Sequence, residues 1–462
     1  MGNVYRPYEP DQMMLLPQSL REWLPTDHLV WFVSETVDQL DLSAFHSGYR
    51  DGGTGELAYH PAMMLKLPVY SCCVGIFSSR AMSRGVQENV ALRALAAGNA
   101  PGHRTICRFR ERHLKDFENV FVQIVQIARE AGLVRMGTIA VDGTKIRADA
   151  SKRKAMSYDR MQKEEARLRE ELKAIAAKAE AEDASDDERF GPDFRGDELP
   201  EELRRRESRL KTIVAAKERL EARKREEAAQ RERDAQEARR AQEKQNDDRD
   251  GKGQGGADGD DQAAIAAAAA KPKPKDQENF TDPDSRIMKD GTGAFQQCYN
   301  GQVAVDSESQ IVVSAWTSQS ASDAKALVRS VEEATANTGV APREVLADAG
   351  FASEANFLAM EQGGVRAYVS LRREGKPAKG AAPKAEASKR TRRRLTTQSG
   401  RKNYARRKHL VEPAIGWLKK VVGFRQFSLR GAAKVAGEFK LACMALNIRR
   451  LHPRMEWTLA TA

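Results

Sequence analysis

The chain has 462 residues, 40% of them hydrophobic, enough for at least one sizeable core and, by length, two to four domains. A formal net charge of +11 favours an anionic partner, with nucleic acid ahead of a membrane surface or a ribosomal contact. Five cysteines (Cys72, Cys73, Cys107, Cys298, Cys443) form no CxxC pair and seven histidines lack zinc-ligand spacing, which argues against a zinc site or a disulfide framework and fits reduced thiols.

In chain order, MGNVYRPYEPDQ lacks a basic segment followed by an apolar run, and no later stretch is long and apolar enough to span a bilayer. A cytoplasmic location without a membrane partner is expected. Residues 1–135 read as helical. Asp27 is placed to cap a helix through HLVWFVSETVDQL, and His60-Pro61-Ala62 opens a more buried one. VALRALAAG, a break from Gly98 to Gly102 and the Arg-loaded HRTICRFRERH follow the pattern of a helix-turn-helix. Arg104, Arg108, Arg110 and Arg112 are then candidates for phosphate or base contact; the competing reading is a helical bundle with a solvated basic face. GTIAVD (137–142) is a short strand ending in an acid.

From about residue 156 the composition shifts to Glu, Lys, Arg and Ala. Met161, Leu168 and Ile175 recur every seventh residue, with Leu172 and Ala179 at the intervening heptad position, as in a heptad seam. Beyond Gly191-Pro192, Leu203, Leu210, Ile213 and Leu220 mark a second stripe, so 156–245 is expected to be an antiparallel coiled-coil hairpin. Residues 246–279 are low in complexity and expected to be disordered. YNGQVAVD (299–306) and IVVSAWTS (311–318) read as a strand hairpin. DAKALVRSVEEATANTG reads as a helix ending at Gly339, EVLADAG (344–350) as a buried strand ending in an acid, SEANFLAMEQGG as a short helix and RAYVSL (366–371) as a strand. A basic loop over 372–402, carrying Lys389 to Arg394, precedes helical segments at about 403–420 and 432–451.

With the insertion set aside, the order is strand, strand, strand, helix, strand, helix, strand, helix. That is the order of a ribonuclease H-like α/β fold with a mixed five-stranded sheet, here split into 136–155 and 280–451. Its first and fourth strands are neighbours, which would bring Asp142 and Asp348 to one sheet edge, where ligands of open α/β sheets gather. Phosphoryl transfer uses such carboxylates to hold two Mg²⁺ ions, with Mn²⁺ an expected substitute, because both attacking and leaving oxygens carry developing charge. A third acid is needed, and Glu412 in KHLVEPAIGWLKK is the best placed. Asp306 reads as a turn former; Asp149, Asp282 and Asp284 are weaker candidates, since a lone strand-end Asp is most often a turn residue. His409 reads as a surface residue and Trp417 as core.

These motifs together resemble bacterial insertion-sequence transposases of the DDE type whose last acid lies in a Tyr/Arg/Glu/Lys helix. HPAMMLKL and HRTICRFR look like that family's N-terminal DNA-binding domain, VDGTKIRADAS like its first-acid motif and LADAGFAS like its second. TDPDSRIMK followed by YNGQVAVD looks like the lead-in to the second and third strands, and RRKHLVEPAIGWLKKVVGFRQFSLRG like the third-acid motif. The resemblance implies Asp142, Asp348 and Glu412 as catalytic and metal-holding residues. Lys419 follows Glu412 with the family's gap, Tyr404 fits with one extra residue, and the Arg position falls to Arg407 or Lys408; these four would hold the DNA backbone. The implied activity is metal-dependent cleavage and strand transfer at the element's terminal inverted repeats. The implied partners are double-stranded DNA, as element ends and target, and further copies in a dimer or larger synaptic complex associated with the nucleoid. The alternatives are a non-catalytic DNA-binding relative and a ribonuclease H-like nuclease without strand transfer.

Overall fold

The computed structural model describes residues 19–47, 49, 57–190, 201–247, 259–371 and 385–455. The first seven helices are α1 (Leu29–Asp38), α2 (Ser43–His46), α3 (Pro61–Cys73), α4 (Ser79–Glu88), α5 (Val90–Leu95), α6 (His103–Arg112) and α7 (Leu114–Glu130). Then come β1 (Thr138–Arg147), β2 (Ala155–Ser157), α8 (Tyr158–Phe190), α9 (Glu201–Asp247), α10 (Gly259–Ala269), β3 (Gln277–Asn279) and β4 (Arg286–Lys289). The chain continues through β5 (Phe295–Asp306), β6 (Val312–Ser318), α11 (Ala326–Thr338), β7 (Glu344–Ala347), α12 (Glu354–Gln362) and β8 (Arg366–Val369). It closes with α13 (Glu386–Thr396), α14 (Gln398–Gly416) and α15 (Ala432–Leu451). Two compact units result: Met1–Arg147 with Tyr299–Ala462, and Ala148–Cys298.

In the first unit the strand order is β6, β5, β1, β7, β8, with β5 and β6 antiparallel and β1, β7 and β8 mutually parallel across their two pairings. Numbered within the unit, the order is third, second, first, fourth, fifth, which is compatible with the expected ribonuclease H-like fold. The strands carry the core: Ile139, Ala140 and Val141 on β1, Val303 to Val305 on β5 and Val345 to Ala347 on β7 are fully buried. Helices pack on this mixed sheet, and strands covered on both faces carry such unbroken apolar runs. α14 packs against β1, β7 and β8, while α11 and α15 pack against β6. β1 does not end at Asp142 as expected but continues to Arg147. The reason is a period-two pattern hidden in a polar stretch: Thr144 and Ile146 are buried on one side while Gly143 and Lys145 take the other.

The N-terminal helices form with one corrected cap. His28, not Asp27, caps α1: its Nδ1 accepts the Val30 N–H at 3.1 Å, and His60 Nδ1 takes the Ala62 N–H at 3.2 Å to start α3. Pro61 sits at the first helical position, where its missing N–H costs nothing. α11 ends on Gly339 at φ +70°, a left-handed cap that glycine adopts freely.

In the second unit α8 and α9 run antiparallel, as their ion pairs require: Glu165 meets Lys217 and Glu171 meets Arg206. Met156, Met161, Leu168, Ile213 and Ala216 form the buried cluster between them, flanked by Leu210 and Phe280. Ile175 and Leu172 are only half-buried, so the burial thins along α8. The side chains of Ala179 and Leu203 lie outside the described ones.

The disorder expected over 246–279 is corrected for its second half. Gly259–Ala269 is helical and packs against α9, and Gln277–Asn279 pairs with β2. Alanine has the highest helix propensity, so a low-complexity alanine run folds once it has a helix to lie on; Ala263 is buried. Residues 248–258 lie outside the described residues. The basic loop expected over 372–402 is likewise helical from 386 onward, as α13 and the start of α14, and 372–384 lie outside the described residues.

Candidate active site

The parallel register of β1 and β7 pairs Val141 with Ala347, so the next residues on the two strands are Asp142 and Asp348. Asp142 Oδ1 accepts the Gly143 N–H at 2.8 Å, and Arg407 Nη1 from α14 lies 3.5 Å from Oδ2. Burial pushes the Asp142 carboxyl up to about 6, and the negative charge of Asp348 adds to the rise against the pull of the Gly143 N–H and Arg407. Asp348 caps a short turn at Ala349–Phe351, its Oδ1 accepting the Gly350 N–H at 2.8 Å. Two carboxylates held together with one of them reluctant to ionise form a site for added positive charge. Their oxygen donors suit a hard divalent cation.

Four further residues gather there that the sequence did not single out. Asp323, just before α11, has its Oδ1 bonded by Asn300 Nδ2 and Gln302 Nε2, each at 2.6 Å. Lys145 Nζ lies 3.3 Å from that oxygen and 3.2 Å from Oδ2. Asn300 and Gln302 stand two apart on β5 and are fully buried. Their legible signal is two amides at period two in the buried part of β5. Asp323 gave none, because an acid before a helix is an ordinary helix start.

The third acid lies elsewhere. Glu412 is exposed on α14, whereas Arg407, Leu410, Val411 and Ala414 form its buried face. Glu412 follows Arg407 by five residues, which places it about 140° round the helix. Among the described residues no group of three or more His, Cys, Asp or Glu side chains is arranged to hold a metal ion. Pro413 lies inside α14, and the His409 carbonyl, which would otherwise accept from residue 413, takes the Gln310 side-chain amide at 3.0 Å.

Of the remaining candidates, Arg110 is corrected. It is 2% exposed and bonded to Glu438, Ser428, Ser79 and the Phe77 carbonyl, so it braces the interior of its unit and is not open to DNA. Arg104, Arg108 and Arg112 are exposed on α6, with Arg112 over the Tyr49 ring. Lys408 and His409 are exposed; Tyr404 is half-buried beneath Arg407. Lys419 donates to the Lys145 carbonyl at 2.8 Å. Trp417 is half-buried against Arg449 rather than fully in the core. Asp306 accepts the Met136 and Glu308 N–H groups, each at 2.9 Å, as a buried turn former. In the second unit Asp282 is fully buried and Asp284 and Asp149 are half-buried.

Residues 18–112 match the family model described as a transposase domain (DUF772), and residues 375–452 match the one described as a transposase DDE domain. No match is found among curated proteins or solved structures. The first match ends on α6, and the second contains Arg407, Glu412 and Lys419.

Proposed function

We propose that the chain is an insertion-sequence DDE transposase, as its two transposase-domain matches support, and that it binds the inverted-repeat ends of its own element and cuts and joins DNA at the Asp142–Asp348 pair. The observation that carries the reading is the register that sets these carboxylates side by side, with Asp142 raised to about 6 by burial and by its neighbour.

Asp142 and Asp348 would hold the Mg²⁺ or Mn²⁺ that the reaction uses; Glu412, which the resemblance implies as the third acid, stands exposed on α14 away from the pair, so this arrangement of residues does not bring it to the ions. Such ions activate an attacking oxygen and stabilise a leaving one. Arg407 sits against Asp142 and fixes its carboxylate, so its part is inside the site rather than on an open DNA surface. Lys419, anchored to β1, and exposed Lys408 would hold backbone phosphates, as would Arg104, Arg108 and Arg112 on α6 at the element end. Water attacks the phosphodiester at each end and frees a 3′-hydroxyl. That hydroxyl then attacks a target phosphodiester in line, so one bond forms for each bond broken.

The test is incubation of the full chain with labelled element ends and a target duplex, with Mg²⁺ and with chelator. Cation-dependent nicking followed by joined product is expected. Nicking without joining would support the nuclease reading, and binding without nicking in any divalent cation would support a non-catalytic relative.

A further inference from the structure

We infer that Asp323 is a positioning residue for the cation at the Asp142–Asp348 pair, an outer carboxylate that strengthens cation binding without itself being a ligand; the inference rests on the reading above. The Asp323 carboxylate is fixed from three sides, by Asn300, Gln302 and Lys145. Both amide nitrogens point at it, and among the described residues Asn300 Oδ1 and Gln302 Oε1 have no hydrogen-bond partner.

The anion's place is set against both catalytic strands. A Cβ on Gly143, the residue after Asp142, would come within 2.5 Å of Asp323 Oδ1 and 2.7 Å of Gln302 Nε2. A Cβ on Gly350, two after Asp348, would lie 2.9 Å from Asp348 Oδ1 and 3.6 Å from Asp323 Oδ2. Asp323 thus fills notches that the two glycines leave, close to both acids. The negative charge of Asp323 also bears on the Asp142 carboxyl. Since no three acids close on one point among the described residues, Asp323 acts through the field it adds in a partly buried site, where charge is weakly screened.

Mn²⁺ binding to the full chain, measured by titration calorimetry, tests this. The parent should bind and Asp142→Asn should lose binding. Asp323→Asn, nearly isosteric, should weaken binding about ten-fold, the lower end of what outer-shell partners of metal sites contribute. Lys145→Met should act in the opposite direction and tighten binding at least about two-fold, because it removes positive charge near the pair. A purely structural role would weaken both variants alike, and that result overturns the inference. So does an Asp323→Asn affinity within two-fold of the parent. A parent that binds no Mn²⁺ overturns the reading of the site and the inference with it.

Discussion

At the residue scale, two buried charges have opposite meanings. Asp142 is a carboxyl held above its ordinary value of 3.8, at about 6. Its ionised form therefore works against the fold, by an amount that is nil below pH 3.8 and complete above about pH 6. The rise corresponds to about 3 kcal/mol as an upper bound. Without cation, Asp142→Asn should raise the Tm at pH 7.5 and leave it unchanged at pH 4; an equal change at both pH values would deny the burial account. Arg110 is the reverse case. Its pairing with Glu438 at 3.3 Å, with both side chains almost wholly buried, means that Arg110→Ala strands a carboxylate. A loss of about 3–5 kcal/mol in denaturant unfolding is expected, and DNA affinity of the remaining folded protein should be unchanged. The sequence held a sign of this. Ile106, Phe109, Arg110 and His113 share helical spacing, so Arg110 falls on the apolar face of α6, whereas Arg104, Arg108 and Arg112 do not.

At the element scale, legibility followed periodicity. The β5–β6 hairpin, α11 with its glycine cap, β7, α12 and β8 were readable because apolar pattern and turn chemistry agreed. β1 was cut short because polar Thr144 hides its buried position behind its residue type. α13 reads as a loop in the sequence because a run of Arg obscures a helix whose buried contacts are small, at Ala387 and Thr391. Asp142 and Asp348 were legible because a parallel register follows from strand order. Asp323 was not, since its role depends on Asn300 and Gln302 arriving from another strand. The α8–α9 pairing makes its own prediction. Ile213 is 1% exposed in a cluster of five buried residues, so Ile213→Ala should cost about 2–4 kcal/mol. Hydrogen exchange should show that loss in α8 and α9; a loss below about 0.5 kcal/mol would mean that the hairpin is not held by this cluster.

At the scale of the whole molecule, one compact unit carries both transposase-domain matches, 18–112 and 375–452, together with the paired acids. The second unit is inserted immediately after β1, whose last residue lies five beyond Asp142. Among the described residues no helix is long and apolar enough to cross a membrane. The formal charge of +11 matches a polyanionic substrate. The Asp142–Asp348 pair is proposed as the cutting centre. Its most direct measurement is strand cleavage of a labelled element end by Asp142→Asn and by Asp348→Asn, with end binding followed on the same samples by gel shift. Each single variant should lose cleavage while holding the end about as tightly as the parent, and cleavage surviving in either would contradict the claim.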